Sequence, residues 1–176
     1  MRPLNGVDLK RFVRDYRRAN KPRRDLVAVL QSVEYPANVG SIFRLADGVG
    51  VSELVLTGIT PTPPNATIDK VGRFKSLRLP WRYEADPVVA VEGLKAGGYQ
   101  VVAVELTDDA APYHQFEYGP KVALVVGHED HGVTRATLAV CDAAVFVPMY
   151  GKGLSLNVHV ALAVVLYHLR HGSPSD

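Results

Sequence analysis

The sequence predicts a single α/β domain built on a mostly parallel sheet with helices on both faces. The chain has 176 residues, which suits one domain, and 47% of them are hydrophobic. Apolar runs of strand length, rich in valine and leucine, alternate with helix-like segments, as expected for a parallel sheet that is buried on both sides. No internal repeat and no long linker divides the chain.

Each predicted element is recognised by its hydrophobic pattern and its flanking residues. Strands are predicted at residues 26–33, 53–59, 99–106, 121–126 and 144–149. Helices are predicted at residues 8–20, 39–48, 87–94, 134–141 and 156–170. Thr134 is a suitable N-cap, and glycines end the second and third helices. The proline-rich residues 60–65 are predicted to form a loop.

Basic residues are concentrated at the N-terminus. Nine of the twenty lysines and arginines lie within the first 25 positions, although the net charge is only +2. Such a segment either binds phosphates or forms a solvated helix face, and a charge run alone favours the solvated face. Phe12 and Tyr16 lie four residues apart and give the segment one modest apolar stripe. We expect the helix to dock through that stripe with its basic faces outward.

Composition also indicates the cellular setting. Cys141 is the only cysteine, which excludes an internal disulfide and favours a reducing compartment. The N-terminus has no apolar signal core, and the longest apolar run, residues 158–167, is too short to span a membrane. We expect a soluble, cytoplasmic protein.

Three segments combine polar residues with glycines next to predicted strands, where ligands bind in open α/β folds. Residues 38–44 contain Asn38, Gly40 and Arg44, and on their own favour a capped helix with a surface arginine. Residues 127–132 offer two histidines and two carboxylates. Their spacing is poor for zinc and no second Cys or His cluster accompanies them, so no metal site is expected.

The third segment, residues 148–157, opens onto an almost wholly apolar helix. It lacks the Walker spacing, and no Gly-x-Gly-x-x-Gly follows a strand, which argues against a conventional dinucleotide site. The apolar helix predicts burial on most sides, by the sheet and by a second subunit. His159 within this helix is interpreted as a satisfied core or interface histidine.

Together these segments resemble the three motifs of the SPOUT superfamily, specifically the SpoU (TrmH-like) RNA ribose 2′-O-methyltransferases. The first is Asn38-x-Gly40-x-x-x-Arg44; the second spans residues 124–133 with Gly127-His128-Glu129 and Gly132; the third is Val147-Pro148-Met149 with Ser155-Leu156-Asn157-Val158 and Ala161. Their order, spacing and strand-loop-helix contexts agree with the family. The resemblance extends from about residue 26 to residue 169.

This resemblance implies a C-terminal trefoil knot, a homodimer, and methyl transfer from S-adenosylmethionine to a ribose 2′-hydroxyl. It implies that Gly127, Val147 and Leu156 contact the cofactor, with His128, Met149 and Leu106 as further candidates. The implied catalytic set is Arg44, Asn38, Glu129, Ser155 and Asn157. The family assigns proton removal to the first-motif arginine, but guanidinium stays protonated. A phosphate clamp by Arg44, or proton loss through a relay after oxygen attack, therefore suits the chemistry better. His159 stands where a serine is common in the third motif.

The resemblance also bears on the substrate. Many ribosomal-RNA members carry an added N-terminal RNA-binding domain, whereas this chain has a short basic arm, which favours transfer RNA with ribosomal RNA next. The predicted division is an arm at residues 1–24, a methyltransferase domain at 25–171 and a tail at 172–176. The predicted RNA-binding residues are Arg11, Arg14, Arg17, Arg18, Arg23 and Arg24, and the aromatic residues considered for base stacking are Trp81, Tyr83, Tyr113 and Phe116.

Two other classes of protein remain open from the sequence. A non-catalytic RNA-binding relative would keep the basic arm without a competent pocket. A small-molecule α/β enzyme that uses a different nucleotide would explain the fold class without RNA, and it leaves the basic N-terminus unexplained.

Overall fold

The computed structural model describes residues 1–172; residues 173–176, which make up most of the predicted tail, lie outside the described residues. Seven parallel strands form one sheet in the order β3-β2-β1-β6-β4-β7-β5. They are β1 Asp25–Gln31, β2 Glu53–Thr57, β3 Trp81–Glu84, β4 Gln100–Val104, β5 Ala111–Pro112, β6 Lys121–Val126 and β7 Ala143–Phe146. The predicted α/β class with a parallel sheet is confirmed.

Six α-helices and one short 3-10 turn, Lys75–Leu77, connect the strands of the described chain. The helices are α1 Gly6–Ala19, α2 Pro36–Val49, α3 Ala66–Gly72, α4 Pro87–Ala96, α5 Arg135–Val140 and α6 Val158–His171. The predicted cap Thr134 accepts a hydrogen bond from the backbone N–H of Thr137. In the same way, Asn157 caps α6 by accepting from the N–H of His159.

The sheet separates two apolar layers, because alternate residues of each strand point to opposite faces. On one face Leu30 of β1 and Leu124 of β6 pack in a core with Phe43 of α2 and Leu166 of α6. On the other face, Val29 and other strand residues pack with α4 and the residues around α5. The prediction of helices on both faces is confirmed.

The N-terminal helix does not pack on the domain. Every residue of α1 is exposed, so the expected docking of its apolar stripe is wrong. Phe12 and Tyr16 instead contact each other, with ring centroids 6.5 Å apart. Both faces of the sheet are already covered by the other helices, so the stripe has no apolar layer of the sheet to join.

Arg24 ties the entry of β1 to the end of α6. Its side chain is only 7% exposed. The guanidinium donates to the backbone oxygens of Gly119, Tyr118, Leu169 and Gly172, at 3.1, 3.3, 3.0 and 2.6 Å. Because these donors face backbone carbonyls inside the fold, we withdraw Arg24 from the predicted RNA-binding set.

The last helix is covered on one side only within the single chain. Leu162, Val165, Leu166 and Leu169 are buried, whereas Tyr167 is 46% exposed. The sheet thus supplies part of the burial that the apolar pattern predicted. No helix among residues 1–172 is long and apolar enough to cross a membrane.

Candidate active site

A pocket of about 850 Å³ opens at the carboxyl ends of β4, β6 and β7. Its walls come from the end of β4, the loops that follow β6 and β7, and the first turn of α6. The volume lies in the range of small-molecule sites. All six predicted cofactor-binding residues line it, namely Gly127, Val147, Leu156, Leu106, His128 and Met149. Among the predicted catalytic residues, Glu129, Ser155 and Asn157 also line it.

The loop after β6 closes tightly on itself beneath this pocket. The backbone N–H groups of His128 and Gly132 each donate to the other residue's carbonyl oxygen, at 3.1 and 2.8 Å. A Cβ atom on Gly127 would lie 2.1 Å from the carbonyl carbon of Gly132, so only glycine fits there. The glycine is therefore required by the close packing of this loop on itself, since the space of a side chain is filled by the backbone of Gly132 and Val133.

Glu105 supports the same loop and was missed by the sequence reasoning. Its carboxylate accepts hydrogen bonds from the backbone N–H groups of Val133, at 2.8 Å, and Leu106, at 3.0 Å. Glu105 also lines the pocket. The available signal was a carboxylate near the carboxyl end of the predicted strand at residues 99–106, the position at which α/β folds place ligand-binding groups.

Glu129 joins the second-motif loop to the start of α2. One carboxylate oxygen accepts from the backbone N–H of Glu34 at 2.9 Å. The other accepts from the side-chain amide of Asn38 at 2.7 Å and from the N–H of Tyr35 at 3.3 Å. Two of the three predicted loops are thus held together by one carboxylate.

The hydrogen bonds of Glu129 favour its charged form. Partial burial raises the pKa of this carboxyl, but the bonds from Asn38 and the N–H of Glu34 outweigh burial and leave the pKa below its ordinary value. Both oxygens already accept hydrogen bonds. Glu129 is therefore a fixed anionic anchor and a poor acceptor for a further proton.

Asn157 adds the third loop to this network. Its side-chain oxygen accepts from the N–H of His159 at 3.1 Å, which starts α6, and its amide nitrogen lies 3.3 Å from Asn38 Oδ1. His159 Nδ1 also lies 3.3 Å from Asn38 Oδ1. His159 is half-buried, and its side chain contacts a predicted site residue.

Arg44 stands apart from the pocket. It lies on the exposed side of α2, six residues after Asn38, and no ion pair to it is found among residues 1–172. Gly40, in the same motif, permits close approach of α3 rather than of a ligand: a Cβ there would lie 2.9 Å from the carbonyl oxygen of Ile68. The structure therefore brings Asn38, Glu129 and Asn157 together and leaves Arg44 outside this group and outside the pocket lining.

His128 is part of a local hydrogen-bond arrangement. Its Nδ1 accepts from the N–H of Asp130 at 3.1 Å, which leaves Nε2 to donate to Glu34, 3.2 Å away. Across the described residues 1–172, no group of three or more His, Cys, Asp or Glu side chains is placed to hold a metal ion.

A pocket of this size where parallel strands end is typical of α/β enzymes that bind a small molecule. The sequence profile of the SpoU rRNA Methylase family matches residues 25–167. The chain belongs to the SpoU rRNA Methylase family and is accordingly a methyltransferase.

The chain is also similar to individual methyltransferases. The chain is 34% identical over 158 residues to a tRNA (guanosine(18)-2′-O)-methyltransferase of Thermus thermophilus, covering 90% of this chain and 79% of the relative. It is 35% identical over 144 residues to a 23S rRNA (guanosine(2553)-2′-O)-methyltransferase of Bacillus subtilis, covering 82% and 57%. Among solved structures, the AdoMet-bound rRNA methyltransferase from Sinorhizobium meliloti matches with a TM-score of 0.77 and 26% identity, covering 86% of this chain and 57% of that one.

Proposed function

We propose that this protein transfers a methyl group from S-adenosylmethionine to a ribose 2′-hydroxyl of transfer RNA, with ribosomal RNA as the second candidate substrate. One observation supports this proposal most directly: the three motif loops meet, with Glu129, Asn38 and Asn157 hydrogen-bonded in series at the edge of one pocket. The names of the Thermus and Bacillus relatives add support for the two RNA classes.

The pocket suits S-adenosylmethionine in its chemistry. Apolar side chains such as Leu106, Val147 and Leu156 offer a wall for the adenosine, and Gly127 contributes backbone to the lining of the same pocket. Acidic side chains at the rim, including Glu105 and Glu129, complement the positive sulfonium and ammonium groups. When bound, S-adenosylmethionine supplies an already activated methyl group.

The chain's own residues then have to align and polarise the ribose, whose 2′-oxygen gains the methyl group and loses its proton through a relay to solvent after it attacks. Asn38 and Asn157, fixed by Glu129 and by the start of α6, present oriented amide groups next to the pocket. Ser155 lines the pocket and can hold the ribose or the loop. Arg44 carries a permanent positive charge and is assigned here as a clamp on a neighbouring phosphate. Such positioning accounts for several kcal/mol, up to roughly 7–11 in ideal intramolecular systems.

The N-terminal helix is proposed as an RNA-binding arm. Arg11, Arg14, Arg17 and Arg18 are exposed on α1, and Arg23 follows it on the exposed linker. Cations of this kind bind the phosphate backbone with an affinity that falls as salt rises. The arm therefore ends before Arg24, one residue earlier than the sequence predicted.

We also propose that the protein is a cytoplasmic homodimer with a C-terminal trefoil knot. The exposed Val160 and Tyr167 lie on α6, which packs against α2, and a Cβ on the exposed Gly48 of α2 would lie 3.7 Å from the Tyr167 hydroxyl. Arg44, also exposed, lies about one turn before Gly48 on α2. Covering this surface with a second copy would complete the burial of α6 that its apolar sequence predicts. It would also place the Arg44 of one protomer at the subunit boundary.

The direct test is incubation of labelled S-adenosylmethionine with total RNA, followed by digestion and nucleoside identification. The expected result is label in a 2′-O-methylated nucleoside from the transfer RNA fraction. Label in ribosomal RNA alone would select the second candidate. Label in neither fraction, with filter binding that does not depend on salt, would favour the small-molecule enzyme.

A further inference from the structure

We propose that residues 73–78 form a second RNA-binding surface, at which Phe74 stacks on a base and Arg73 and Arg78 bind phosphates of the substrate. This inference rests on the proposed function and extends it to residues outside the three motifs. The segment follows α3 and includes the 3-10 turn before β3.

The segment exposes aromatic and basic side chains together. Phe74 and Leu77 are 60% and 79% exposed. Arg73 and Arg78 are also exposed, and no ion pair to either is found within residues 1–172. An exposed aromatic ring with one arginine beside it in sequence and another four residues later offers the two kinds of group that bind an unstacked nucleotide, a ring for the base and cations for the phosphates.

Contacts with α3 and α2 fix the conformation of residues 73–78. Ser76 is buried and its hydroxyl donates to Asp69 at 2.9 Å, while the N–H of Phe74 donates to the carbonyl oxygen of Asp69 at 2.9 Å. Lys75 pairs with Asp47 of α2 at 2.6 Å. The exposed side chains are therefore carried on a preorganised turn, which reduces the entropy cost of binding.

Backbone strain indicates that this turn is not optimised for stability. Arg73 and Phe74 have φ angles of +51° and +56°, in the left-handed region that favours glycine. A bulky ring at such a position is uncommon, and the exposed Phe74 ring gains little packing in return. Strained residues of this kind concentrate at functional sites, so a role for the ring in binding accounts for its presence.

The turn lies on the same side of the molecule as Arg44. On α2, Gly40 faces α3, where a Cβ would lie 2.9 Å from the Ile68 carbonyl oxygen, and Asp47 holds Lys75 of the turn. Arg44 is four residues after Gly40 and three before Asp47, so it shares their face of the helix. An RNA strand clamped by Arg44 can therefore continue across residues 73–78.

The first test uses Phe74→Gly in the full-length protein, with unfractionated transfer RNA as the probe. Glycine accepts the left-handed backbone, so the melting temperature is expected to stay the same or rise. RNA affinity is expected to fall about tenfold, within the range for losing one stacked base, with S-adenosylmethionine affinity unchanged. The control is Val89→Ala, which shortens an exposed apolar side chain on α4, on the other face of the sheet.

The second test concerns charge. Arg78→Ala is expected to reduce the dependence of log affinity on log salt by about one phosphate contact, and Arg78→Lys is expected to restore it. RNA affinity of Phe74→Gly within twofold of wild type, with methyl transfer intact, would overturn this inference and leave the proposed function standing. Altered self-association of Phe74→Gly would assign the turn to a contact between copies and would also overturn it. Wild-type protein that neither binds nor methylates RNA would overturn both.

Discussion

Asn38 has its two amide atoms engaged in different directions. Its nitrogen donates to Glu129 at 2.7 Å, and its oxygen faces Asn157 and His159 at 3.3 Å. This arrangement fixes which end of the amide points towards the carboxylate. It also makes Asn38 the physical link between the second-motif loop and the start of α6.

Glu129 gives a pH prediction with a defined sign. Because its pKa in the folded protein lies below the ordinary value of 4.5, the hydrogen bonds of the carboxylate stabilise the protein above that pH, and this stabilisation is lost as pH falls through the lowered value. We expect Glu129→Gln to flatten this part of the curve. The measurement is the free energy of unfolding by urea between pH 3 and pH 6 for both proteins. Parallel curves for both proteins would mean that the network does not select the ionised form.

Arg44 gives a prediction about the reaction. Arg44→Ala is expected to lower turnover to background and leave S-adenosylmethionine affinity unchanged, because Arg44 does not line the pocket. Arg44→Lys keeps a point charge but loses the bidentate fork, so partial activity is expected. Turnover and cofactor affinity are measured by radiolabel transfer and calorimetry. Wild-type turnover in Arg44→Ala would remove Arg44 from the mechanism, and loss of cofactor binding would mean that its role is misplaced.

The helix α1 is connected to the domain by the chain alone, and none of its residues is buried against the rest of the fold. Deletion of residues 1–21 retains Arg23 and Arg24 and is expected to leave the melting temperature unchanged, since no residue of α1 is buried. RNA affinity and its salt dependence are expected to fall, because several phosphate-binding cations are lost. A melting temperature several degrees lower would show that α1 packs on the fold. Unchanged RNA affinity at moderate salt would refute the role of the arm.

The contact between α2 and α3 provides a matched pair of glycine substitutions. A Cβ on Gly40 would lie 2.9 Å from the Ile68 carbonyl oxygen and 3.0 Å from Val71 Cβ, whereas nothing lies within 4 Å of one on Gly93. We expect Gly40→Ala to destabilise the protein by about 1–3 kcal/mol. Gly93→Ala, at an exposed position of α4, is expected to stabilise it by about 0.5–1 kcal/mol. Chemical denaturation measures both, and equal effects would contradict the close helix contact.

The elements that the sequence predicted share a strong hydrophobic pattern. All five predicted strands exist: β1, β2, β4 and β6 are valine- or leucine-rich and buried on both faces, whereas β7 is only partly buried. The missed strands are the sheet edges: β3 is four residues long and only partly buried, and β5 is two residues long and contains Pro112. α3 was missed because seven residues are too few to show helical periodicity.

Some residues of the candidate site could be predicted from the sequence because the parallel sheet brings its strand ends to one edge. Residues that follow buried strands, such as Gly127 and Val147, are found at one sheet edge because parallel strands all end there. The roles of Glu105 and Arg24 depend on contacts between residues far apart in sequence. Glu105, after β4, binds the loop that contains Gly132, and Arg24, before β1, binds the end of α6. The position of Glu105 at the end of a predicted strand could mark it as a candidate site residue, but only the fold shows which backbone groups Glu105 and Arg24 bind.

The proposed dimer is tested at Tyr167, the exposed tyrosine of α6. Tyr167→Glu places a charge on a side chain that is 46% exposed in the single chain, so the fold itself should tolerate it. Within an apolar subunit interface the same charge would be buried without a partner and would favour dissociation. Wild type is therefore expected to sediment at twice the chain mass of 19.2 kDa, and Tyr167→Glu at the chain mass with reduced methyl transfer.

Val89→Glu is the control for that experiment, since Val89 is similarly exposed but lies on α4, across the sheet. It is expected to sediment and to methylate as wild type does. Loss of activity together with dissociation in Tyr167→Glu alone would tie the reaction to the subunit boundary, where α2 carries Arg44. A Tyr167→Glu protein that keeps the wild-type mass would exclude this face of α6 as the interface, and a monomeric, fully active wild type would exclude the dimer from the mechanism.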